Sequence, residues 1–222
     1  MQNVRVASKS TLKSNPAWKI VGGLSSPSKM PCYSYSIPSD FCKTGRKLRN
    51  SSDSVCNSCY TFKGKYRIGN VQNSLHNRFN SLKDVRWVGA MVTLLKMQPF
   101  KHFRWHDSGD LQGTWHLEKI IKVAEACPEI KFWLPTQEFN IVEDILDSFP
   151  LLPENLNIRL SSRKINIASS HPFLSTSIVV TKENFNKDIE GILCRSYEIG
   201  GKCGNCRQCW DKKINRIIYM IH

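Results

Sequence analysis

Three groups of residues in this chain are of types and spacings that do chemistry. Cys203, Cys206 and Cys209 are spaced with two residues between each pair, with Cys194 a short way upstream and His222 at the C-terminus. A tetrahedral zinc site takes four soft ligands, so these three thiolates with either Cys194 or His222 complete one, while an iron–sulfur cluster takes an all-cysteine set. Cys42, Cys56 and Cys59 form a second, looser group: the 56/59 pair can bite one metal centre, and a loop can bring Cys42 to it. The third group is the turn Asp107-Ser108-Gly109-Asp110-Leu111-Gln112, with Glu138 and Arg163 further along. Asp107, Asp110 and Glu138 supply carboxylates for proton transfer or nucleophilic attack. Ser108, Gly109, Gln112 and Arg163 are the matching candidates for substrate contacts.

These residues need elements to position them, and the apolar pattern supplies a repeating unit. Phe103 and Trp105 alternate with Arg104 and His106 at the strand period, the turn breaks the strand, and Leu117, Ile120, Ile121 and Ala124 follow at helical spacing. Ile130–Leu134 is a second strand-like run, followed by a helix through Ile141, Val142, Ile145, Leu146 and Phe149. Leu156–Leu160 and Ser177–Val180 are a third and a fourth. Strands alternating with helices make βαβ units and a parallel sheet, whose reactive groups lie beyond the carboxyl ends of the strands. A closed eight-unit barrel typically takes about 250 residues, so the expectation is an α/β, TIM-barrel-like fold, incomplete at about six βα units.

Upstream, residues 1–17 read as an extended or loosely ordered arm, Trp18–Val21 as a short strand, and 25–69 as a long irregular segment. Helices are expected over Val71–Leu82 and Val85–Met97. The predicted division is 1–193 as the barrel, with its basic, cysteine-bearing N-terminal region, and 194–222 as a C-terminal metal-binding knuckle. In that knuckle Ile217, Ile218 and Tyr219 form an apolar underside. Asp107, at a strand end, is expected to project from the barrel mouth.

The net charge of +14 is unevenly placed: residues 1–106 carry 18 Lys or Arg against three Asp, and the rest is close to neutral. Lys43, Arg46, Lys47, Arg49, Lys63, Lys65 and Arg67 concentrate the excess around the first cysteine group. A one-sided basic face of this kind binds a polyanion, and nucleic acid is the commonest. No apolar stretch is long enough to span a membrane and no leader pattern opens the chain. A cytoplasmic protein is therefore expected, with thiols kept reduced for metal and not paired as disulfides.

The pieces Lys29-Met30-Pro31, Cys42-Lys43-Thr44-Gly45, Val55-Cys56-Asn57-Ser58-Cys59-Tyr60, Phe103–Leu111, Phe132–Glu138 and Cys203–Trp210 resemble the phage family called gene product 88. That resemblance implies a bacteriophage source, hence the host cytoplasm. Two enzyme superfamilies share parts of the pattern. Asp107-Ser108-Gly109-Asp110-Leu111-Gln112 agrees at four of six positions with the Asp-Ser-Gly-Gly-Phe-Gln strand end of tRNA-guanine and deazaguanine DNA transglycosylases. Their C-terminal zinc site of three Cys and one His is similar to Cys203, Cys206, Cys209 and His222. The Cys42, Cys56, Cys59-Tyr60 arrangement is similar to the cluster loop of radical S-adenosylmethionine enzymes. There Ser108-Gly109-Asp110 corresponds to the turn that holds the methionine amine, and Cys194, Cys203, Cys206 and Cys209 to an auxiliary cluster.

Both likenesses imply an enzyme that modifies nucleic acid, DNA first among the candidates. The favoured expectation is base exchange by a zinc-bearing transglycosylase, with Asp107 meeting the base and Asp110 or Glu138 as nucleophile. The alternative is an iron–sulfur enzyme using S-adenosylmethionine. A third reading is a non-catalytic nucleic-acid-binding protein whose metals are structural.

Overall fold

The computed structural model describes residues 8–148, 151–186 and 188–221. Seven strands form one all-parallel sheet: β1 (Ser34–Tyr35), β2 (His102–Trp105), β3 (Lys131–Thr136), β4 (Leu156–Ser161), β5 (Ser175–Val180), β6 (Ile192–Leu193) and β7 (Arg216–Met220). Their order is β1-β2-β3-β4-β5-β7-β6, so β1 and β6 are the two edges. The helices are α1 (Lys9–Ser14), α2 (Pro16–Ile20), α3 (Lys43–Leu48), α4 (Gly69–Ser81), α5 (Trp87–Met97), α6 (Thr114–Ala126) and α7 (Phe139–Ser148).

Alternation along the strands gives the sheet two unlike faces. Tyr35, Phe103, Trp105, Phe132, Leu134, Ile158 and Leu160 point to one side and are buried against α5, α6 and α7. The helices answer with residues three and four apart: α5 buries Trp87, Ala90, Met91, Leu94 and Leu95, and α6 buries Leu117, Ile120, Ile121 and Ala124. Each fully buried side chain of this size stabilises by about 1.5–3 kcal/mol, so this layer dominates the fold. The opposite face carries Ser34, Arg104, Trp133, Asn157, Arg159 and Ser177, and the C-terminal segment packs on it. There the Trp210 indole N–H donates to the Phe103 carbonyl at 2.8 Å, and the Asn157 amide donates to the Cys209 carbonyl at 2.9 Å.

Three expectations differ from this structure. Residues 9–14 and 16–20 are helical where an arm and a strand were expected. Ser8 and Asn15 cap the two helices through their side chains, and Pro16 at the first turn preorganises the second. Ile217, Ile218 and Tyr219 lie in β7, between β5 and β6, so residues 194–221 complete the sheet as well as carrying a cysteine-rich loop. β1 and β6 were not expected as strands, because two-residue strands are too short to leave a periodic signal.

Candidate functional site

β2 ends at Trp105 and is followed by His106, a non-glycine residue at φ 53, and this left-handed step turns the next side chain back toward the polar face of the sheet. Asp107 is therefore buried, not projecting as its position at a strand end implied. Its carboxylate accepts from Ser34 Oγ at 2.7 Å and from Tyr66 Oη at 2.9 Å, while its carbonyl accepts from Tyr60 Oη. Burial, and then the Asp107 charge, push the Tyr66 phenol up, so it serves as a hydrogen-bond donor.

Ser108 and Gly109 lock the turn onto the segment leaving β1. Ser108 Oγ donates to the Ile37 carbonyl at 3.0 Å, and the Ile37 N–H donates to the Ser108 carbonyl at 3.1 Å. Gly109 has φ +82, and a Cβ there would lie 2.3 Å from Ile37 Cγ1. Only glycine fits so close an approach.

Asp110 follows, buried, accepting from Thr136 Oγ1 at 2.6 Å, the Leu111 N–H at 2.8 Å and the Gln137 N–H at 2.9 Å. Burial outweighs these donors and pushes its carboxyl up to about 7. Glu138, at the end of β3, accepts from the Thr44 N–H at 2.7 Å and Thr44 Oγ1 at 2.8 Å. Gln112 donates to the Phe41 carbonyl at 3.2 Å, and Lys43 Nζ donates to the Gln112 carbonyl at 2.8 Å. Arg163, at the end of β4, donates to the Gln137 carbonyl at 3.0 Å, and its own carbonyl accepts from the Val55 N–H at 3.1 Å. Candidates chosen for catalysis or substrate contact thus grip the two halves of the cysteine loop, at Phe41–Thr44 and at Val55.

That loop brings the first cysteine group over the carboxyl ends of β1 to β4. A Cβ built on Gly45 would lie 3.0 Å from Cys42 Cβ and 3.6 Å from Cys56 Sγ, so glycine leaves room where two of the thiols meet. Cys56 Sγ donates to Gln137 Oε1 at 3.2 Å, and Cys59 Sγ lies 3.0 Å from Thr61 Oγ1. Burial pushes the Cys42 thiol up, and Asp110, Cys59, Cys56 and Glu138 all add to the shift. Cys42 and Cys56 thus meet at Gly45, beside Gln137 and the acidic turn. Ser162 Oγ and Arg163 Nε are buried without a partner on the same rim.

Outward from the pocket, Lys43, Arg46, Lys47, Lys63, Lys65 and Arg67 are exposed, and Arg49 is half-buried over the Phe62 ring. Tyr60 and Tyr66 turn in toward Asp107 from the stretch whose Lys63, Lys65 and Arg67 face solvent, so the basic surface and the acidic turn are two sides of one segment.

In the C-terminal loop, Cys194 Sγ donates to Ser196 Oγ at 3.3 Å, and Cys206 is exposed and donates to Gln208 Oε1 at 3.4 Å. Cys209 is buried, its sulfur 3.1 Å from Tyr219 Oη, and burial pushes its thiol up to about 11. Cys203 is half-buried among them, and His222 lies outside the described residues. Among the described residues, no three Cys, His, Asp or Glu side chains stand at the spacing of ligands on one ion.

Sequence reasoning gave no role to Ser34, Ile37, Thr44 and Tyr66, which hold the acidic turn and the cysteine loop, and named Tyr60 only by its place beside Cys59. Tyr66 was readable only as an aromatic among basic residues. No curated protein and no solved structure matches the chain. A family model described as Gene product 88 matches residues 4–212, nearly the whole length, and the chain therefore belongs to the Gene product 88 family.

Proposed function

We propose that this protein is a bacteriophage iron–sulfur enzyme of the radical S-adenosylmethionine type acting on nucleic acid. In this reading Cys42, Cys56 and Cys59 hold the cluster, Ser108-Gly109-Asp110 meets the cofactor's amino-acid end, and the basic 43–67 segment receives phosphates. One observation carries it: Cys42 and Cys56 meet at Gly45 on a loop that Gln137 and Glu138 hold at the carboxyl end of β3. In parallel α/β sheets that end is where chemistry sits. The parallel sheet with two free edges is read as an incomplete barrel, and the 194–222 loop as a cysteine-rich knuckle holding a second metal, zinc or an iron–sulfur cluster.

A reduced cluster bound there would supply the electron that cleaves S-adenosylmethionine and so generates a reactive radical at the substrate. The protein's own part is positional. Asp110 ties the turn to the end of β3 through Thr136 and Gln137, Glu138 and Gln112 fix the loop that carries Cys42, and Tyr60 and Tyr66 close on Asp107. A base in a duplex must leave the stack to reach such a pocket, at a cost of a few kcal/mol, which contacts from Lys63, Lys65 and Arg67 offset.

The base-exchange reading draws less support from the same geometry. It requires a carboxylate free to attack a sugar carbon, and each of the six carboxylate oxygens of Asp107, Asp110 and Glu138 already accepts a hydrogen bond. Among the described residues no helix is long and apolar enough to cross a membrane, and the host cytoplasm is the proposed location.

The test is anaerobic reconstitution with iron and sulfide. Bound iron and sulfide should fall together when Cys42, Cys56 and Cys59 are replaced by Ala. Equal loading of the triple variant and its parent would overturn the assignment.

A further inference from the structure

Three aromatic residues stand in the basic segment 43–67: Tyr60, Phe62 and Tyr66. Phe62 is half-buried, with the Arg49 guanidinium 3.8 Å over its ring, and Tyr66 is half-buried, with its hydroxyl on the Asp107 carboxylate at 2.9 Å. Tyr60 differs from both. It is 56% exposed, although its hydroxyl donates to the Asp107 carbonyl. The side chain is therefore fixed at its inner end and open to solvent along its body, with Tyr66 meeting it edge-on at 5.7 Å and 61° between ring planes.

The stretch between the two tyrosines is tied down at both ends. Tyr60 and Tyr66 bracket the turn Lys63-Gly64-Lys65, and both hydroxyls end on Asp107, which Ser34 Oγ also holds at 2.7 Å. The Lys63 N–H donates to the Tyr60 carbonyl at 3.1 Å, and a Cβ built on Gly64, at φ +57, meets nothing within 4 Å. Lys63, Lys65 and Arg67 are exposed on this short anchored loop. An accessible aromatic ring with cations close by in the chain is the pairing that single-stranded nucleic acid takes, phosphates on the cations and a base on the ring. A ring fixed before binding also loses little freedom when a base stacks on it.

We infer that Tyr60 is the stacking platform for an unpaired base of the nucleic acid, its ring held by the hydroxyl on Asp107, with Lys63, Lys65 and Arg67 on the flanking phosphates. A base inside a duplex has no free face to offer, so the substrate class is single-stranded or locally opened nucleic acid, and stacking makes the choice of base tolerant. The inference rests on the proposal that the basic segment receives phosphates, and it is independent of the cluster.

The experiment is fluorescence anisotropy of the full chain with two labelled DNA probes of equal length, a mixed-sequence single strand and an abasic strand with the same phosphates. The parent should bind the base-bearing strand more tightly. Tyr60→Ala should lose roughly tenfold on that strand and keep the parent's affinity for the abasic one, whereas Tyr60→Phe, which keeps the ring, should retain most of the preference. Tyr60→Ala that binds both strands as the parent does would overturn the stacking role while sparing the basic segment; a loss confined to S-adenosylmethionine would then give the ring to the cofactor's adenine. Equal loss on both strands would overturn it as well, marking Tyr60 as a support of the loop, and so would Tyr60→Phe as weak as Tyr60→Ala. A parent that binds neither strand at low salt would remove the nucleic-acid reading itself.

Discussion

Asp110 shows what a single side chain contributes here. Its carboxyl is pushed from 3.8 to about 7 by burial, so the folded protein binds a proton that the unfolded chain releases. Stability from this group is therefore full below pH 4 and is lost as pH rises to about 7, the reverse of a salt-bridged carboxylate. Asp110→Asn should flatten that limb of a denaturant-midpoint profile against pH; an unchanged slope would show that other groups set it. The position of Asp110 at a strand end was legible from the aromatic run before it. The inward turn of Asp107 was not, because strand alternation says nothing about a left-handed residue such as His106, and only the fold shows that Ser34 and Tyr66 wait for its carboxylate.

At the scale of elements, β2 and β3 end in groups that hold the cysteine loop. Glu138 reaches Thr44 through both carboxylate oxygens, and a hydrogen bond to a charged group contributes about 1.5–3 kcal/mol. Glu138→Ala removes both acceptors of the Thr44 N–H and hydroxyl. The loop should loosen there while the sheet stays folded: iron retention after reconstitution should drop severalfold with little change in circular dichroism. A variant that keeps its iron would mean that Glu138 does not position the loop. β2 to β5 and the helices behind them were legible because their core faces repeat every two, or every three to four, residues. β1 was not, since Ser34-Tyr35-Ser36 carries polar groups to a polar face, and α2 was hidden because Trp18 to Val21 reads as a β-prone run until Asn15 and Pro16 are recognised as a helix start.

Across the whole molecule, Lys43, Arg46, Lys47, Lys63, Lys65 and Arg67 are exposed on the segment that carries Cys42, Cys56 and Cys59, and this placement ties part of the basic excess to the site. Neutralised phosphates release counterions, so affinity for nucleic acid should fall steeply with salt. Charge reversal at Lys63, Lys65 and Arg67 should reduce the slope of log affinity against log salt by up to about three. A slope unmoved by these changes would place the contact elsewhere. The asymmetry was countable in the sequence, whereas its position around Cys42, Cys56 and Cys59 required the long irregular segment to be folded back over the strand ends. Cleavage of the cofactor tests the central claim most directly. Reconstituted, dithionite-reduced protein given S-adenosylmethionine should release methionine, more in the presence of nucleic acid, and Cys56→Ala should release none above background. Iron-loaded protein that leaves the cofactor intact with and without nucleic acid would contradict the account and leave a non-catalytic nucleic-acid-binding protein in its place.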